Sequence, residues 1–306
     1  MTEVRHLTCS DGHVLAYRAW IPETRTVAAL HILHGMAEHS KRYGRFAEYL
    51  NSKGIAVYAQ DHRGHGLTAT EANEPLGYFG AQDGWARIAE DAHELSLVIS
   101  EGLSGVPLFL MGHSMGSFLA RTVMVKWPDL YSGVIIMGTG ASMGLKGKMG
   151  KLLAKSEARK NGPAKPTELM DRMTFSAYNK PFEPADTSFD WLSRDAGEVK
   201  LYIDDPLCGF VCTGEFFYDL LSGIEFANSP ANADKVPKDL PLLIISGSMD
   251  PVGAMSKGVR KVDSLYRNAG VTDVQLVLVD GGRHEILNET DRSKTFRILS
   301  DWMLSH

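Results

Sequence analysis

No stretch of this chain restricts its fold more than Gly112-His113-Ser114-Met115-Gly116, a Gly-x-Ser-x-Gly set between an apolar run and a helical stripe. A short apolar run, Val106 to Met111, comes before it and reads as a buried strand. Residues from Met115 to about Lys126 follow, with Phe118, Leu119, Thr122 and Val123 at helical spacing. A serine on so sharp a strand-to-helix turn holds a strained backbone, and the flanking glycines let strand and helix cross without side-chain clash. The turn lifts the hydroxyl clear of the sheet. The helix N-terminus aims free N–H groups at any anion that forms there. The pattern predicts a nucleophilic serine.

The rest of the chain fits an α/β domain. Residues 3–20 alternate around Ser10-Asp11-Gly12 and predict a β-hairpin at a sheet edge. Apolar runs at Val27–Leu33, Ile55–Ala59, Gly133–Met137, Leu240–Ile245 and Val274–Val279 predict further strands. Helical stripes lie between some of them: Tyr43, Phe46, Ala47 and Leu50; then Trp85, Ile88, Ala92, Leu95 and Ile99; and Phe296, Leu299 and Met303 near the end. Residues 67–83 read as loop. Alternating strands and helices imply a mostly parallel sheet covered on both faces, with ligands at the carboxyl ends of its strands. Residues 140–239 break this rhythm. They carry no strand signal but hold 11 of the 27 aromatic residues. So long a structureless loop is improbable. We expect a core of 1–139 and 240–306, with 140–239 as a mostly helical inserted cap.

A serine hydroxyl needs a base to take its proton, and the base needs an acid to fix its tautomer and stabilise its charged form. His284, just past the last strand, is the only histidine between His113 and His306. Asp250, just past the preceding strand, is the expected acid; its rival Asp280 sits only four positions from His284, at the strand end itself. The order Ser, Asp, His is that of the α/β-hydrolases. An acyl-transfer intermediate also needs two N–H donors for its oxyanion. Met115, directly after the nucleophile, and Met36, after the first buried strand, are the candidates, and Gly35 lets the backbone approach the substrate.

Net charge −5 and a pI near 6.1 argue against nucleic-acid binding. Three cysteines, Cys9, Cys208 and Cys212, without framework spacing fit a reducing compartment. No signal peptide or membrane-spanning run is read, so a cytoplasmic protein is expected. Five of the 11 histidines fall between His31 and His65, but no ligand spacing completes a metal set, and we expect no metal and no cofactor. Residues 141–166 hold seven basic residues against Glu157 alone, interleaved with Met143, Leu145, Met149, Leu152 and Leu153. Such a segment suits either a solvated cap helix or weak peripheral contact with anionic lipid.

Several blocks together resemble the monoacylglycerol lipase and lysophospholipase group of the α/β-hydrolase superfamily, in its bacterial style. They are His34-Gly-Met-Ala-Glu-His-Ser-Lys-Arg-Tyr43, Asp61-His-Arg-Gly-His-Gly66, Gly112 to Gly116, Asp250, and Arg283-His-Glu-x-Leu-Asn-Glu289. The resemblance spans about Leu30 to Leu287 and is weakest in the cap. Ser117 stands where the group has a second glycine, and Leu67-Thr68 where it often has serine. The resemblance implies Ser114 as nucleophile, Asp250 and His284 as its partners, and Met36 and Met115 as oxyanion donors. It also implies a lipid-like monoester substrate. An aminopeptidase of the same fold would need acids in the cap to hold a free amine, and Glu183, Asp186, Asp190 and Asp195 are present. A non-catalytic small-ligand receptor is the reading from another class.

Overall fold

The computed structural model describes residues 2–306; residue 1 of the expected core lies outside them. Eight strands form one sheet in the order β1-β2-β4-β3-β5-β6-β7-β8. They are β1 (Thr2–Thr8), β2 (Val14–Trp20), β3 (Ala28–Leu33), β4 (Ile55–Gln60), β5 (Leu108–His113), β6 (Gly133–Met137), β7 (Leu242–Gly247) and β8 (Val274–Val279). Strands β3 to β8 run parallel, and β2 is antiparallel to both β1 and β4. The inner parallel strands are buried along their whole length, because helices cover both faces, and this is why they read as unbroken apolar runs. Edge strand β1 is mostly exposed and alternates instead.

One face is covered by α1 (Gly44–Asn51) and α11 (Arg292–Ser305), which bury Phe46, Leu50, Phe296 and Trp302. The other is covered by α3 (Gly84–Gly102), α4 (Met115–Lys126) and α10 (Lys257–Asn268), through Ile88, Leu95, Leu119 and Val262. Short α2 (Gly66–Ala72) replaces the start of the loop expected at 67–83. It escaped the sequence reading because it buries only Gly66, Thr68 and Ala69, which make no apolar stripe.

Between β6 and β7 lie α5 (Gly144–Asn161), α6 (Glu168–Phe175), α7 (Ala196–Asp204), α8 (Gly214–Ala227) and α9 (Pro230–Ala233). Buried Arg121 of α4 ties both ends of this insertion. Its guanidinium donates to Ala227 O (2.6 Å) and Asn228 Oδ1 (3.0 Å) at the exit, and to Thr139 Oγ1 (3.4 Å) and Gly140 O (3.4 Å) at the entry. The carbonyl end of α8 supplies the negative dipole that a buried cation needs.

Candidate active site

The chain turns back on itself at β3. From β3 it passes to β4 on one side, then crosses to β5 on the other. The loops leaving β3 and β5 therefore diverge and leave a crevice at their carboxyl ends. Ser114 sits in it, directly after β5, with φ 54° and ψ −118°. Such a backbone costs on the order of 1–3 kcal/mol and persists only where the surroundings over-determine it. Here Ser114 N donates to Met137 O (3.0 Å), and Ser117 N and Oγ both donate to Ser114 O (2.9 and 2.6 Å). Ser117 thus fastens the turn at a position where the resembling group has glycine. The two motif glycines answer to close approach: a Cβ at Gly112 would overlap the carbonyl of Gly116, and one at Gly116 the carbonyl of Leu33.

Asp250 and His284 meet at the ends of β7 and β8, where Nδ1 of the imidazole donates to Asp250 Oδ2 (3.0 Å). Asp250 is fully buried and also accepts from Ser246 Oγ (3.0 Å) and Val252 N (2.9 Å). Burial raises its pKa, but His284 and these donors outweigh that and hold the carboxyl below its ordinary value. Asp280 is exposed and makes no hydrogen bond to the imidazole. No hydrogen bond joins Ser114 Oγ to His284 among the described residues. Such contacts are often loose before substrate arrives.

The loop after β3 is pinned at nearly every turn. Gly35 N donates to Glu38 Oε1 (2.6 Å), Gly35 O accepts from His34 Nδ1 (2.7 Å), and Ala37 N donates to His65 Nε2 (3.3 Å). Ala37 O accepts from Gly209 N (2.9 Å) and Tyr202 OH (3.0 Å), both in the insertion. Between them Met36 N has no acceptor among the described residues, and neither does Met115 N at the start of α4. Gly35 itself lies against the serine: a Cβ there would come 3.2 Å from Ser114 Cβ and 2.7 Å from Glu38 Oε1. Its amide is taken by Glu38, so what Gly35 offers a substrate is space rather than a donor.

The histidine cluster holds this loop from below. Tyr131 OH donates to Ser96 Oγ, Ser96 to His31 Nδ1, His31 Nε2 to Gln60 Oε1, and Gln60 to His62 Nδ1. His62 Nε2 then donates to His34 O, and His34 Nε2 accepts from His62 N. Each ring has one donor and one acceptor, which is the neutral tautomer. Burial pushes His31 and His65 down to about 3 and lowers His34 and His62 as well.

A buried charge network, which the sequence reading missed, joins the three active loops. Arg42 donates to both oxygens of Glu285 (2.6 and 2.7 Å) and to Glu38 Oε2 (2.8 Å). Glu38 Oε1 also accepts from Tyr43 OH (3.0 Å) and bonds His113 Nδ1 (3.1 Å). Burial opposes every charge here. Yet the His113 bond and Arg42 hold Glu38 well below its ordinary value, and Glu38 holds His113 above its own. Glu38 and Arg42 lie four apart, but Glu285 comes from the far end of the chain, so no local pattern could show the network.

His39, Asp205 and Cys208 are the group of possible metal donors found closest together among the described residues. His39 Nε2 is already bonded to Asp205 Oδ2 (2.9 Å), and burial pushes the Cys208 thiol up, keeping it protonated. They act as a polar seam between the insertion and the β3 loop.

Fold and crevice together define an α/β-hydrolase with its serine on the elbow after β5. The chain belongs to the family described as serine aminopeptidase, S33 (Hydrolase_4), which matches residues 24–291. Among named relatives it is similar to the monoglyceride lipase of Mus musculus, 28% identical over 94% of this chain and 85% of that protein. The monoacylglycerol lipase of Mycolicibacterium smegmatis is 25% identical over 100% of this chain and 98% of its own. Among solved structures, a thermostable carboxyl esterase from Bacillus coagulans in complex with glycerol superposes with a TM-score of 0.92, at 26% identity over 99% and 98% of the two chains. The resemblance to the monoacylglycerol lipase group thus reappears in these relatives.

Proposed function

We propose that this protein is a serine carboxylic-ester hydrolase of the monoacylglycerol lipase type. What supports the reading is the Asp250–His284 hydrogen bond at the strand ends, Ser114 on a strained elbow, and two amides, Met36 N and Met115 N, without an acceptor among the described residues. Ser114 attacks the ester carbonyl while His284 takes its proton. Met36 N and Met115 N receive the oxyanion. His284 returns the proton to the departing alcohol, and water releases the acid by the same route. Residues 140–239 act as a cap on the core of 1–139 and 240–306. The relatives' names and the glycerol bound to the Bacillus coagulans esterase support a glycerol monoester as substrate.

The acids that an aminopeptidase would need are occupied or outlying. Asp190 bonds the Asp186 and Thr187 amides, Asp195 caps α7 and pairs with Arg292, and Glu183 and Asp186 are exposed. This favours the ester reading over the family's descriptive name. The cap also carries a surface suited to anionic lipid. Leu145, Met149 and Leu152 of α5 are 73%, 63% and 72% exposed beside Lys146, Lys148 and Lys155, so these three face outward, while Leu153 packs half-buried against the core. Phe216 and Phe217 of α8 are packed in the core.

The test is a rate comparison of mono-, di- and triacylglycerols of matched chain beside aminoacyl amides, with wild type and Ser114→Ala. Monoacylglycerol should be cleaved fastest, and Ser114→Ala should lose on the order of 10⁴-fold or more in kcat. Preference for the amide, or substantial turnover by the alanine variant, would overturn the reading.

A further inference from the structure

Trp191 belongs to the cap yet lies against the reacting end of the core. Its backbone runs beside the histidine loop: Trp191 O accepts from His284 N (3.3 Å), and Leu192 O accepts from Glu285 N (2.7 Å). On its other side Trp191 N donates to Asn179 Oδ1 (2.8 Å). The indole is 6% exposed and its centroid lies 5.1 Å from that of the His284 ring, at 38°. Phe175 stacks on the indole at 5.8 Å and Tyr178 meets it edge-on at 4.9 Å, so the ring is walled in from behind. Its Nε1 has no hydrogen-bond partner among the described residues. A buried donor left unmade is a net cost. The ring is therefore not held there by its polar atom, and what it presents to His284 is aromatic surface.

We infer that Trp191 is a positioning residue that fixes the His284 ring and stabilises its protonated form through the face of the indole. The inference rests on His284 being the general base. A cation within about 6 Å of an indole centroid is attracted by the ring's quadrupole, most strongly where water is excluded. His284 is 2% exposed, and acyl transfer makes it cationic at the moment the barrier is crossed. Asp250 answers that charge from the Nδ1 side. The other groups around it are His113, whose ring lies 4.8 Å away and is bound to Glu38, and Tyr178, pushed up to about 12 by burial and then by the charge of Asp250. The Arg42–Glu285 pair lies beyond. These groups are present in wild type and in both variants, so the comparison between variants reads the change at position 191.

The test uses the full chain, with pH profiles of kcat/KM on a monoacylglycerol for wild type, Trp191→Phe and Trp191→Leu. Loss of the aromatic face favours the neutral imidazole, so the acid limb moves to lower pH. It also removes stabilisation of the transition state, so the plateau falls. For Trp191→Leu a downward movement of about 0.5 pH unit and a plateau about three- to tenfold lower are expected. Trp191→Phe keeps a weaker face and loses the unpartnered N–H, so it should fall between the two while being no less stable to heat. An acid limb that stays in place in both variants, or a Phe variant as impaired as Leu, would overturn the inference. Should the Leu variant fail to fold, the smaller shift in the Phe variant decides alone. Failure of the underlying reading looks different: turnover would then persist in Ser114→Ala.

Discussion

Asp250 keeps its charge in a place that disfavours charge. Full burial pushes the carboxyl upward, and the His284 interaction with the Ser246 and Val252 donors more than reverses it. Asp250→Asn preserves shape but removes the anion that orients Nδ1 and answers the imidazolium. It should lower kcat on the order of 10³-fold or more, whereas Asp280→Asn should change it by no more than a few-fold. Steady-state assays of the two variants check this, and the reverse ranking would mean that Asp280 is the acid. Asp219 of α8 is the opposite case. Burial, with the Glu215 charge adding to it, raises the carboxyl from 3.8 to about 7, and its Oδ2 has no hydrogen-bond partner among the described residues. A folded-state value above the unfolded one means stability that is present in acid and lost as pH rises from about 4 through 7. Asp219→Asn should therefore raise stability by about 1–3 kcal/mol at pH 8 and leave it nearly unchanged at pH 4, as read from thermal unfolding at both values.

At the scale of elements, what was legible in the sequence depended on whether an element had a pattern of its own. The serine elbow was legible because an apolar strand and a helix rich in apolar residues flank it, and the hairpin of β1 and β2 because the turn residues Ser10-Asp11-Gly12 stand between them. Helix α10 buries Gly258, Val259, Val262 and Tyr266 along one side but is not legible in the sequence: its start lies in a left-handed stretch, Ala254 to Ser256, and the Ser256 hydroxyl donates to Ser248 O instead of capping the helix. The cap helix α5 was read as basic and amphipathic. Its inward side is made of small residues instead: Ala154 and Ala158 are buried, and a Cβ on Gly214 of α8 would strike the backbone of Ala158. Close packing of small residues leaves Leu145, Met149 and Leu152 pointing out among lysines. Binding to anionic vesicles should consequently weaken with salt, since exposed charges are screened within about 10 Å at 0.1 M, and weaken further when Lys148, Lys151 and Lys155 are reversed to Glu. Equal binding to neutral and anionic vesicles in a sedimentation assay would remove lipid docking from the account.

Taken as a whole, the molecule is acid-sensitive by construction. His31 and His65 sit at about 3 against an ordinary 6.5, because burial disfavours their charged forms. Folded values below unfolded ones mean stability that is complete above pH 6.5 and lost as pH falls toward 3. Each such ring lowers stability by about 1.4 kcal/mol per pH unit across that window. Denaturant midpoints measured from pH 7.5 to 4.5 should fall steadily, and His31→Gln should flatten the slope. A midpoint independent of pH would mean that these rings are not held neutral. No sequence pattern announces this, since the hydrogen bonds run from Tyr131 through Ser96 and His31 to Gln60, across four segments that meet only in the folded chain. The same holds for the Ala37 carbonyl, gripped at once by Gly209 N and Tyr202 OH. That double grip makes the cap an inherited partner of the β3 loop rather than an interchangeable accessory. A chimera that grafts another insertion onto this core must carry over the contacts of Tyr202 and Gly209, or the loop after β3 loses the hydrogen bonds that hold its Ala37 carbonyl.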